Sequence, residues 1–188
     1  MRRRYRVLKR PTFPAALHFA GFTLIELLIT IAIAAILLTL AAPSFRSMVM
    51  NNRLKAQTDG LTTALNYARS TALSQAVSVE VCPIGTLNST TCGTNWASGW
   101  IVVSDPAGTP TLLQSHQTVS AGPVLSSSVL NVLFDPRGLS TTPSSFKVCD
   151  GRGAAYARSV QIPFATGLVQ VGTIPGQVAY GTTSLTCP

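Results

Sequence analysis

The chain has little with which to do chemistry. Among its 188 residues are six acids and two histidines, His18 and His116. A Ser/His/Asp relay would have to use His116 with one of many serines, and no serine stands in a nucleophile-elbow sequence. There is no glycine-rich phosphate loop, no metal-binding helix and no short-spaced pair of acids. These absences argue against an enzyme, and neither a cofactor nor a metal is expected. Acids are missing altogether from Met1 to Gly21, which carries Arg2, Arg3, Arg4, Arg6, Lys9 and Arg10.

What the chain does have is an apolar run from Phe22 to Ala42 with one ionisable group, Glu26. A helix of that length can cross a hydrocarbon core of about 30 Å. The basic segment before it predicts a cytoplasmic N-terminus and a C-terminal domain across the membrane, in the periplasm. A secretory signal would place its apolar region ahead of a small-residue cleavage site. Here the basic stretch and a glycine come first. The carboxylate is the anomaly: at the centre of a bilayer an acid costs about 2.5–3.5 kcal/mol on insertion scales. Near the end of a span the cost is smaller, but the group still asks for a partner.

Basic leader, Gly21-Phe22-Thr23-Leu24-Ile25-Glu26 and an apolar helix resemble the type III signal of type IV pilins and type II secretion pseudopilins. The resemblance implies a leader over residues 1–21, cleavage after Gly21 by a prepilin peptidase, and methylation of the new terminus at Phe22. It implies that Glu26 neutralises the N-terminal amine of a neighbouring subunit during assembly. Its implied partners are the prepilin peptidase, other minor pilins or pseudopilins, the major subunit, the inner-membrane assembly platform and the lipid of the inner membrane. A buried carboxylate is tolerable where an ammonium meets it, and removing one partner strands the other. Pro43 matches by its distance from the cleavage site a proline that, in the family, marks a stretch of the stem able to lose helicity in the filament. Its ring removes a backbone hydrogen bond and clashes with the preceding turn, which predicts a kink or a short non-helical break.

Beyond leader and span, about 145 residues remain, enough for one domain with a core. The formal charge of +8 invites a nucleic-acid reading, but six of the fourteen basic residues precede Gly21. The mature chain would keep eight against six acids, so the basicity is mostly topological information. Cys82, Cys92, Cys149 and Cys187 all lie beyond the span, where an oxidising periplasm would pair them. Three connectivities are open. Cys82 with Cys92 and Cys149 with Cys187 are favoured, because each pair closes a local loop or ties down the tail. Structural zinc wants short knuckles, and the nearest two cysteines are too far apart in sequence for one.

After Pro43, apolar residues from Phe45 through Leu54, Leu61, Leu65, Ala68 and Ala72 to Ala76 recur at three- and four-residue steps, predicting an amphipathic helix to about Ser78. The stem is thus expected over 22–78, with its membrane span at 22–42, and a β-rich domain over 79–188. Period-two alternation from Val77 to Cys82 starts the strands. Others are expected at Trp96–Val103, Thr111–Gln117, Val129–Phe134, Ser144–Cys149, Ala157–Ile162 and Leu168–Val171, separated by turns such as Asp135-Pro136-Arg137-Gly138 and Asp150-Gly151-Arg152-Gly153. The fold class is therefore α+β: a long N-terminal helix packed on a C-terminal antiparallel β domain. Trp96 and Trp100, four apart, would share one face of a strand, as core aromatics or as a stacking platform.

This half resembles the GspH/FimT-type minor pilins and pseudopilins. The resemblance is carried by Trp96, Gly99-Trp100-Ile101-Val102, Phe134-Asp135-Pro136-Arg137-Gly138 and Val148-Cys149-Asp150-Gly151-Arg152-Gly153. It implies a minor subunit that primes or caps the filament. Some FimT-like minor pilins bind DNA through a Gly-Arg-x-Arg motif near the C-terminus. The matching place here reads Gly167-Leu168-Val169-Gln170, without either arginine. DNA contact would then fall to Arg137, Lys147, Arg152 and Arg158, since phosphate binding needs clustered, exposed cations.

Overall fold

The computed structural model describes residues 21–86, 88–118, 122–164 and 166–187. Residues 1–20, with His18 and all but the last residue of the expected leader, lie outside the described residues. The chain forms two compact units that divide between Pro43 and Ser44. The division falls inside helix α1, Leu24–Gln75, rather than at residue 79, because the amphipathic half of the helix belongs to the core of the β domain.

In the first unit the helix is started by Thr23. Its Oγ1 accepts from the backbone N–H of Glu26 at 3.2 Å, and its carbonyl accepts from the N–H of Leu27 at 3.1 Å. Thr23-x-x-Glu26 has the spacing of a capping box, in which a threonine satisfies helix N–H groups that have no partner within the helix. Further along, the hydroxyls of Thr30 and Thr39 donate back to the carbonyls of Leu27 and Ile36 at 2.8 and 2.7 Å. No bare hydroxyl is then presented to an apolar medium. Helical structure runs through Pro43 without interruption, so the expected break does not occur. A proline removes one N–H from the ladder, and the bonds on either side carry the helix past it.

In the second unit Leu54, Leu61, Ala64, Leu65, Ala68 and Ala72 form a buried stripe along α1. The helix ends at Gln75, three residues before the expected stop, with Ala76 in the left-handed region at φ 53°. Among the described residues eight strands follow: β1 Val79–Pro83, β2 Gly99–Ser104, β3 Thr111–Gln117, β4 Val124–Ser127, β5 Val132–Phe134, β6 Ser144–Cys149, β7 Arg158–Ile162 and β8 Gln170–Val171. They make two four-stranded sheets, ordered β3-β2-β1-β5 and β4-β6-β7-β8. All pairings are antiparallel. The helix stripe shares one core with Val79, Val81, Trp100, Val102 and Phe134 of the first sheet and Leu125, Phe146, Val148, Val160 and Ile162 of the second.

Several expectations shift in detail. β4 has no counterpart in the sequence reading, because a short strand with one fully buried side chain, Leu125, has no period to read. The strand expected over Val129–Phe134 shortens to β5, and that at Leu168–Val171 to two residues. Trp96 to Ser98 is a 3-10 turn rather than strand, with the Asn95 side chain accepting from the N–H of Ala97 at 3.0 Å.

Candidate functional site

At the head of α1 the capping turn of Thr23 places Glu26 one turn behind Phe22. Every described side chain from Gly21 to Ala42 whose exposure is defined is exposed, Phe22 at 79%. The helix is long and apolar enough to cross a membrane. Glu26 makes no ion pair among the described residues. The arrangement presents one carboxylate on an otherwise apolar rod, next to residue 22. Gly21 has open space around it, with nothing within 4 Å of where a Cβ would stand. Pro43 is exposed and lies at the boundary between the units.

The four candidate DNA contacts do not form a free cationic cluster. Lys147 donates from Nζ to the carbonyl of Thr186 at 2.7 Å. Arg152 is 16% exposed and paired with Asp150. Arg158 is half-buried on β7. Arg137 is 80% exposed, but its Nε and Nη2 both donate to Asp135 Oδ2, at 3.0 and 2.9 Å. Three of the four cations are therefore engaged by acceptors of this same chain.

Two turns share one construction. In Asp135-Pro136-Arg137-Gly138 the Asp135 Oδ1 accepts from the N–H groups of Arg137 and Leu139, each at 2.9 Å. In Asp150-Gly151-Arg152-Gly153 the Asp150 Oδ1 accepts from the N–H of Arg152 at 3.0 Å, while Oδ2 takes its Nε and Nη2 at 3.0 and 2.7 Å. Both turns end on a glycine with positive φ, 70° and 92°. The Leu139 N–H, with the side chain, main chain and charge of Arg137, holds the Asp135 carboxyl below its ordinary value. Burial alone would raise the Asp150 carboxyl, but the donors and charge of Arg152 outweigh it and hold it low as well.

The second of these turns reaches the helix. Arg152 Nη2 donates to Asn51 Oδ1 at 2.8 Å and Nη1 to Ser47 Oγ at 3.3 Å, and the guanidinium lies 4.2 Å over the ring of Tyr156. Arg152 is expected in solvent from its Gly-containing turn, and no local pattern marks Ser47, Asn51 or Tyr156 as its partners. The available signal was the repeated Asp-x-Arg-Gly, which is the spacing of an arginine held by its own turn.

The cysteines pair as Cys82–Cys92 and Cys149–Cys187. Glu80 stands beside the first bridge. With both sulfurs in a disulfide, that cluster offers a metal only a carboxylate. Trp96 and Trp100 are both buried, Trp96 edge-on to Phe146 and Trp100 stacked on His116. They are core aromatics and offer no exposed platform.

Comparison with known proteins places these features in a family. The family model described as type II transport protein GspH matches residues 57–165, and the prokaryotic N-terminal methylation motif matches residues 18–42. Two crystal structures of the type IV minor pilin FimU of Pseudomonas aeruginosa are similar, each at a TM-score of 0.49. One is 24% identical over 64% of this chain and 88% of that one. The other is 20% identical over 62% and 90%. No curated protein matches the chain.

Proposed function

The chain belongs to the GspH family of type II transport proteins, and from that premise we propose that it is a minor pilin or pseudopilin, a non-enzymatic subunit that helps to initiate or cap a type IV pilus or type II secretion pseudopilus. It is made as a precursor, cut after Gly21 and methylated on Phe22 by prepilin peptidase. Until assembly it rests in the inner membrane, N-terminus cytoplasmic and β domain periplasmic.

The observation that carries the reading is Glu26, a carboxylate without an ion-pair partner among the described residues, on a helix exposed along its apolar length. When such helices leave lipid and bundle, their apolar surface stays buried, and each carboxylate needs a cation within the bundle. The Phe22 amine of a neighbouring subunit supplies it. Removing one member of a buried pair costs about 3–5 kcal/mol, because the other is left uncompensated. The subunit's neighbours in the filament would be other minor subunits and the major one, met through the β domain.

The test combines mass spectrometry with filament assays. Mature protein should begin at N-methylated Phe22, and Glu26→Ala should be processed normally yet fail to enter filaments. An intact arginine-rich leader on functional protein, or normal incorporation of Glu26→Ala, would overturn the proposal.

A further inference from the structure

We propose that Arg152 is a latch that holds the first turns of α1 after Pro43 against the β domain, so that helical order on this side of the proline depends on one side chain. From Ser44 to Arg53 no side chain is buried, and Leu54, 1% exposed, is the first that is. Ser47, Val49 and Met50 are partly buried and the other seven are exposed, so the segment has little of the apolar burial that stabilises most helices in proteins, and a helix of that length is marginal by its own propensity. Pro43 at its head further weakens the ladder.

The side-chain hydrogen bonds that hold this segment to the β domain come from Arg152. Ser47 and Asn51 are four apart, on one face of the helix, and both accept from the Arg152 guanidinium. Arg152 comes to them already oriented. Asp150 holds its Nε and Nη2, the backbone N–H of Arg152 holds Asp150, and Tyr156 backs the guanidinium plane. A planar fork with five donors can serve three acceptors at once, which an ammonium on a flexible stem cannot do. Beside the latch, Met50, Arg53 and Pro123 border a small cavity against Asp150 and Gly151. With the latch closed, helical order in the second unit starts at Ser44. With it open, order starts at Leu54, and Ser44–Arg53 loses its hold on the β domain.

Hydrogen exchange read by mass spectrometry on the full-length protein in detergent micelles tests this. In Arg152→Gln, amides of residues 47–53 should exchange roughly tenfold faster or more, since each lost charge-assisted bond had opposed local opening. Peptides covering Leu61–Ala72 and β6 should keep wild-type rates. Asn51→Ala should give a smaller acceleration confined to the same peptide, and Arg152→Lys should not restore protection. Unchanged exchange of 47–53 in a folded variant, no protection there in the wild type, or acceleration spread over the whole domain would each overturn the proposal. If Arg152→Gln fails to fold, Asn51→Ala decides by the same criterion.

Discussion

The imidazole of His116 lies face to face with the indole of Trp100, ring centroids 4.1 Å apart and planes 21° from parallel. The two are register partners across β2 and β3. Trp100 is buried at 1% exposure, and His116 is half-buried. Burial lowers the imidazole pKa from its ordinary 6.5, because protonation would place a charge where water is scarce.

A pH dependence follows from that position. As pH falls below about 6.5 the unfolded chain takes up the proton first, so stability declines until the folded imidazole titrates. His116→Phe keeps a ring on the indole and removes the proton site. Denaturant unfolding between pH 7 and 5, followed by tryptophan fluorescence, should show a decline in the wild type that is absent from the variant.

The Asp-x-Arg-Gly turns act further into acid. Asp135 and Asp150 have lowered carboxyl pKa values in the folded chain. Their stabilising contribution is therefore complete above the unfolded value of about 3.9 and is lost as pH falls through the folded values. Asp150→Asn should destabilise the protein at pH 7, and the gap from wild type should narrow below pH 4. A constant gap across that range would show that Asp150 contributes nothing through its ionisation.

The two disulfides should contribute unequally. Cys149–Cys187 spans 38 residues and Cys82–Cys92 spans 10. Constraint of the unfolded chain is worth about 4 kcal/mol for the long loop and about 3 for the short one. Replacing each pair by alanine and comparing unfolding free energies should place the Cys149/Cys187 variant lower. Its loss also frees the tail cluster of Ala157 and Leu185.

Two glycines should respond in opposite directions. Gly60 is helical, and a Cβ there would sit at ordinary contact, 3.6 Å from the Trp100 ring. Gly60→Ala should stabilise by about 0.5–1 kcal/mol, since alanine loses less backbone entropy. Gly99 has φ +117°, and a Cβ would fall 2.0 Å from the carbonyl oxygen of His116. Gly99→Ala should therefore destabilise by at least 1–3 kcal/mol and disturb the β2–β3 pairing. Thermal melts of the two variants check both signs.

The repeated turn shows where sequence reading stops. Asp135 and Asp150 stand in identical Asp-x-Arg-Gly settings, and both were legible as exposed turns. Yet Arg137 remains 80% exposed while Arg152 closes on Ser47 and Asn51. Those residues lie 105 and 101 positions away in the chain, and no local pattern records that they meet. The same holds for Trp96 and Trp100, whose spacing suggested one strand face until the 3-10 turn at Trp96–Ser98 separated them.

By itself the sequence determined what depends on neighbours along the chain. Charge context, the apolar run with its one carboxylate, the helical stripe and most of the strands are contiguous patterns, and each carries its physical consequence locally. Only the tertiary structure decided the division into two sheets, the burial of both tryptophans and the capture of Arg152 by the helix. These depend on which distant segments pay the entropy of meeting, and that cost is settled by the packed core as a whole rather than by any segment of it.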